Sequence, residues 1–226
     1  IGRIANRKLL SDKAQYNSLL FIDVDTMPKN EKFLETYLSH INKTDAVFGG
    51  LFYNKESFSQ DNSLRFTFGK KREQVPSKKR MSKPYKYIIS SNYMINKSIF
   101  DEIEVPADIN GYGLDYFFGA QLKTNNVHIT HIDNEVFHLG LDDNNKFLEK
   151  TRSALDNLKY MNSNSYIKKH DISILKAYNF LKILLLENMF YAMVKTMNNK
   201  IETNLMSQKP SLFTFDLYRL AYLCKD

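Results

Sequence analysis

Asp23 and Asp25 stand two residues apart in SLLFIDVDT, and alternate residues of an extended segment share a face. On that expectation their carboxylates converge at the end of a strand. Paired oxygen donors there suit a hard divalent cation, Mg²⁺ or Mn²⁺, which commonly combines one or two carboxylates with substrate phosphates and water. The same pair would serve equally as turn acceptors or as a cap for the next helix, and the spacing alone does not choose. Upstream, Arg3 and Arg7 fall one helical turn apart and can share a basic face, turned either to an anion or simply to water.

The elements that must hold these residues follow from the patterning. IGRIANRKLLSDKA has the spacing of an amphipathic helix and lacks the apolar stretch and small-residue cleavage site of a signal peptide. The run from Ser18 reads as a buried parallel strand that stops at the aspartates. KNEKFLETYLSHI reads as a helix with Phe33, Leu34, Tyr37, Leu38 and Ile41 on one face, and DAVFGG as a second strand, which together give an α/β rhythm. Residues 54–84 read as a long polar and basic excursion, with Lys70, Lys71, Arg72, Lys78, Lys79, Arg80 and Lys83 close together. After it come a strand (YKYIISSNYMI), a short helix (NKSIFDEI), a turn entering a helix (GYGLDYFFGAQLKT) and two short strands (NVHITHIDNEVFHLG), then helices from Asn144 onward. The apolar stretch from Ile172 to Val194 is broken by Lys176, Lys182 and Glu187, too soon for a spanning helix, and is expected to be a packing face.

Composition narrows the partners. Hydrophobic residues at 43% and charged residues at 25% describe a folded chain with an ordinary core. Cys224 alone leaves no intramolecular disulfide and no cysteine-rich metal site, which fits a reducing, cytoplasmic location. The net charge of +7 asks for an anionic contact: a nucleotide, a membrane face or nucleic acid. Nucleic acid fits least, because the basic residues are scattered and no recognition motif accompanies them.

Taken in order, GRIANRKLL, FIDVDT, SSNYMINKSIFDEI, GYGLDYFFG and VFHLGLDDNNKFLEK resemble the motifs of a glycosyltransferase family 2 enzyme of the GT-A fold, of the bacterial surface-polysaccharide kind. The resemblance covers residues 1–160, with 161–226 as a C-terminal helical extension packed on that domain. It implies an α/β, Rossmann-related mixed sheet flanked by helices. It also implies that the family's first strand and nucleotide-binding units lie ahead of Ile1, so that the full enzyme is longer.

The resemblance further implies an inverting sugar transfer from a nucleotide-sugar, a UDP-sugar, to a saccharide or lipid-linked acceptor. Asp25 would bind the metal, Asp23 the ribose or a metal-bound water, and Arg7 with Arg3 the donor. His138 would reach the same cation, while His128 and His131 are structural. Asp115 would be the catalytic base and Asn92 and Tyr112 would line the acceptor pocket, although all three could serve as capping, turn or packing residues. Besides Lys8 in place of the family's asparagine, two departures stand out: Leu114 replaces the acidic neighbour of Asp115 in a segment one residue shorter, and, the larger one, the family's first strand and nucleotide-binding units are missing from this sequence. The basic stretch from Lys70 to Lys83 could fold over the donor or give peripheral contact with the inner membrane face, and could equally be solvated. A carbohydrate- or partner-binding module without catalysis and a nucleotidyltransferase are the competing readings.

Overall fold

The computed structural model describes residues 3–104, 106, 109 and 111–225. The strands, in chain order, are β1 (Ser18–Ile22), β2 (Thr26–Pro28), β3 (Ala46–Phe48), β4 (Leu51–Phe52), β5 (Asn92–Asn96), β6 (Ile129–His131) and β7 (Val136–His138). They form two mixed sheets flanked by helices. The larger has the order β1-β5-β3-β6, antiparallel except between β3 and β6, and the smaller has β7 between an antiparallel β2 and a parallel β4.

The expected strand through the two aspartates is corrected in two ways. β1 runs antiparallel to its neighbour, Ile22 opposite Asn92, and it ends before Asp23. The Asp23-Val24-Asp25 segment is a turn joining the two sheets: the Thr26 amide and hydroxyl both donate to the Asp23 carbonyl, at 3.1 and 2.6 Å. A side-chain hydroxyl that closes onto nearby backbone competes with the strand ladder. The two carboxylates therefore do not share a strand face.

The helices are α1 (Arg3–Lys13), α2 (Phe33–Leu38), α3 (Ser63–Phe68), α4 (Ser77–Met81), α5 (Lys97–Asp101), α6 (Leu114–Thr124), α7 (Asn144–Ser163), α8 (Ser173–Ile183), α9 (Glu187–Lys195), α10 (Asn198–Leu205) and α11 (Leu212–Cys224). In α2 only part of the expected stripe is inward: Phe33 and Tyr37 are buried, Leu34 and Leu38 exposed.

The basic excursion is folded. α3, a π turn over Gly69–Glu73, α4 and a 3-10 turn over Pro84–Lys86 occupy it, and two of its arginines are interior. Arg80, 1% exposed, donates to the carbonyls of Val75, Phe48 and Ile132 at 2.8, 2.9 and 2.6 Å and to His131 Nδ1 at 2.9 Å. It thereby satisfies buried carbonyls where β3 and β6 end, groups that would be costly to leave unpaired. His131 donates its Nε2 proton to the Pro84 carbonyl at 2.9 Å, and burial, with the Arg80 charge adding, takes its pKa down to about 4.

One apolar cluster joins the large sheet (Phe21, Phe48, Tyr93, Ile95) to α6 (Phe117, Phe118), α7 (Leu155, Leu158) and, beyond residue 160, Leu175, Tyr178 and Leu223. A second ties Leu64 and Leu148 to Val194, Ile201, Leu205 and Phe215. The C-terminal helices thus share the core of the sheet. The expected packing face over 172–194 is only half realised: Leu175, Tyr178 and Val194 are buried, while Phe180, Ile183, Leu185, Met189 and Met193 are exposed. No helix among the described residues is long and apolar enough to cross a membrane.

Candidate functional site

Arg7 points inward from α1 and is 7% exposed. Its Nη2 donates to Asp23 Oδ1 at 2.6 Å and to the Ser90 carbonyl at 2.5 Å. The guanidinium lies over the rings of Phe21 and Tyr93, 5.7 and 5.6 Å from their centroids. A planar cation with weak hydration suits this mixture of carboxylate, carbonyl and aromatic faces, where a lysine ammonium would not. Next to it, Lys8 donates to the Asp101 carbonyl at 2.6 Å and Ser11 to the Asp101 carboxylate at 2.8 Å, which fixes α1 against α5. Arg3 shares α1, but its side chain lies outside the described residues.

Arg7 forms one wall of a cleft of about 370 Å³ whose other walls include Ser90, Tyr93, Phe100, Tyr112, Gly113 and Asp115. Gly113 caps α6 with φ +87°, and a Cβ there would stand 2.9 Å from the Ala154 backbone. Both the left-handed conformation and the close approach require glycine. That turn delivers Asp115 to the first turn of α6 and into the cleft. The Tyr93 phenol reports the convergence: its pKa is raised chiefly by burial, lowered by Arg7, and raised further by Asp115 and Asp23. Tyr112, 43% exposed, stands at the rim with the Lys150 ammonium 4.9 Å from its ring centroid.

Asp25 belongs to a different corner. β2 pairs with β7 so that Thr26 faces His138, and the Leu139 amide donates to the Asp25 carbonyl at 2.9 Å. Asp25 Oδ2 and His138 Nε2 come to 3.6 Å, too far for a hydrogen bond. His138 is largely buried, its Nδ1 has no hydrogen-bond partner among the described residues, and its ring packs 5.6 Å from that of Tyr53. Burial first, and then the Arg65 charge, hold its pKa below the usual imidazole range, against the opposing pull of Glu73 and Asp25. Arg65 is itself bound to Glu73 Oε2 at 3.0 Å and to the Tyr53 hydroxyl at 2.7 Å. The result is a neutral imidazole beside a half-exposed carboxylate.

This pair fits part of a divalent site. An Mg²⁺ or Mn²⁺ ion with bonds of ~2.1 Å at ~90–110° separates two ligand atoms by ~3.0–3.4 Å. The 3.6 Å between Asp25 and His138 is only slightly wider. Such ions take one or two protein ligands and complete their shell with water and phosphate oxygens. Asp23 does not join them, because Arg7 holds it, and no group of three or more His, Cys, Asp or Glu that could hold a metal is gathered among the described residues.

Asn92 is corrected as an acceptor-binding residue. It is 2% exposed, its oxygen accepts from the Tyr37 hydroxyl at 2.7 Å, and its amide donates to the carbonyls of Gly50 and Asn134, both at 2.9 Å. With both protons committed inside, it pins the strand ends together. Sequence reasoning passed over Tyr93 and Ser90: β5 is buried on both faces, so no alternation marks Tyr93 out. Arg65 and Arg80 carried no such signal, since nothing in KKR or SLRF separates an interior arginine from a solvated one. No protein-family model matches the chain, and no curated protein matches it.

Proposed function

We propose that the chain is part of an inverting, metal-dependent glycosyltransferase that moves a sugar from a nucleotide-sugar to a saccharide or lipid-linked acceptor, on a GT-A-like domain. The observation that supports this reading most is that Arg7 and Asp115 line one cleft, with Asp23 bound to Arg7 and with Asp25 and His138 on the turn and strand that follow. Mg²⁺ or Mn²⁺, held by Asp25 and His138, would neutralise the departing diphosphate.

The chain's own residues account for the rest. Arg7 holds Asp23, which would meet the donor ribose, and the guanidinium and Lys8 line the donor end of the cleft. The acceptor enters past Tyr112, whose ring suits a sugar face. Asp115 accepts the acceptor hydroxyl proton as that oxygen bonds to the anomeric carbon and the bond to the diphosphate breaks, its electron pair leaving with the diphosphate. One displacement inverts the centre.

Asp115→Asn tests this. Transfer from UDP-sugars should be abolished, while UDP binding in the presence of Mn²⁺, followed by calorimetry, stays within about twofold, because the amide keeps the shape and loses only the base. Undiminished transfer by this variant overturns the base assignment. Leu114, apolar and packed on the core cluster beside Asp115, favours a second reading as a carbohydrate-binding module without turnover. Glycan binding without metal, and no UDP binding, would support that module.

A further inference from the structure

The turn between α8 and α9 carries an exposed apolar surface that the cleft does not use. Phe180, Ile183, Leu185, Met189 and Met193 are 61, 79, 82, 64 and 55% exposed. Their spacing places them along the outward side of both helices and around the connecting turn. Leu185 holds φ 55°, a left-handed conformation that glycine or asparagine adopts more cheaply. A connector that only reversed the chain would be better served by either, so the leucine is kept at a conformational cost with its side chain in water.

The charges along these two helices are mostly of one sign, although Lys176 is drawn to Asp171 at 3.4 Å. Residues 173–200 contain Lys176, Lys182, Lys195 and Lys200 against a single acid, Glu187. That acid is turned inward, with Oε2 buried and its charge felt by Cys224 in α11. Solvent therefore sees apolar side chains on segments that also expose Lys182 and Lys195. Pairing this face with a second copy of itself would set lysines against lysines, a repulsive arrangement in an isologous contact.

We infer that the α8–α9 corner docks on an anionic lipid bilayer, with Leu185, Ile183 and Met189 entering the interfacial layer and the lysines meeting headgroup phosphates. Leucine and methionine suit a fluid acyl boundary, and juxtaposed lysines add attraction that salt weakens. The inference rests on this surface alone and stands apart from the proposed catalysis.

Co-sedimentation with vesicles of phosphatidylcholine plus phosphatidylglycerol, and of phosphatidylcholine alone, tests it. The protein should pellet with the anionic vesicles and stay largely in solution with the neutral ones. Leu185→Glu combined with Met189→Glu should cut partitioning at least about tenfold at unchanged circular dichroism. Lys182→Glu with Lys195→Glu should remove the preference for anionic lipid. Failure of the parent protein to bind anionic vesicles, or equal binding by the leucine–methionine variant, overturns the inference. So does a parent dimer in sedimentation velocity that the same variant returns to monomer without any vesicle binding, which assigns the face to self-association.

Discussion

Asp23 and Asp25 are two residues apart and chemically identical, yet their surroundings have little in common. Asp23 is bound by a buried guanidinium at 2.6 Å and has a side chain 16% exposed. Asp25 is 43% exposed and faces a neutral imidazole across 3.6 Å without a hydrogen bond. The first carboxylate is built into the fold, and the second is left available. The difference arises in one turn: once Thr26 closes onto the Asp23 carbonyl, the next residues enter another sheet and meet another set of partners.

The sharpest way to break this contrast is to strip Asp23 of Arg7. Arg7→Met should destabilise the protein by about 3–5 kcal/mol in urea unfolding, because it removes the buried guanidinium from which both Asp23 and the Ser90 carbonyl accept. Adding Asp23→Asn to Arg7→Met should recover part of that loss, giving a coupling that a double-mutant cycle measures. Additive single effects would show that the pair is not the source of the difference.

Acidification acts next, on His131 beside Arg80 and on His138 at the Asp25 corner. His131 is held neutral with its pKa near 4, below the ordinary 6.5, so the unfolded chain binds a proton that the folded chain refuses. Above pH 6.5 both states are neutral and nothing is lost; between 6.5 and 4 stability falls, by about 3 kcal/mol in all from this residue. In His131→Gln, urea unfolding across that range should show a correspondingly shallower fall. His138 shifts in the same direction, so Mn²⁺ binding at Asp25 should also weaken as the pH falls and the imidazole gains a proton.

The smallest expected effect is on stability and the most specific is on metal. Asp25→Asn should change unfolding free energy by no more than about 0.5 kcal/mol, given its exposure and lack of a hydrogen-bonded partner. Mn²⁺ should raise the melting temperature of the parent protein, and in the same variant and in His138→Gln that rise should disappear. A retained Mn²⁺ shift in both variants would move the metal away from this corner.

Much of the architecture was legible locally. Short apolar runs placed β1, β3 and β5, the glycines of GYGLDY placed the turn into α6, and the periodic stretches from Asn144 placed the C-terminal helices. The excursion over 54–84 was misread because its polarity resembles that of a loop. Its structure depends on Arg65 and Arg80 finding buried acceptors that lie far away in sequence, such as the Ile132 carbonyl. Asn92 was misread for the same reason: an asparagine at a strand start looks the same whether it faces a ligand or the carbonyls of Gly50 and Asn134.

The sequence by itself determined the order of elements, the turn chemistry at Gly113 and the presence of Arg7, Asp23, Asp25, Asp115 and His138. Those are properties of neighbouring residues, governed by periodicity and backbone preference. Only the tertiary structure decided that Arg7 takes Asp23, that His138 stands over Asp25, and that the α8–α9 stripe is left half uncovered. Partner choice and burial are set by segments far apart along the chain, whose meeting is fixed by the packing of two sheets against the helices that share their core.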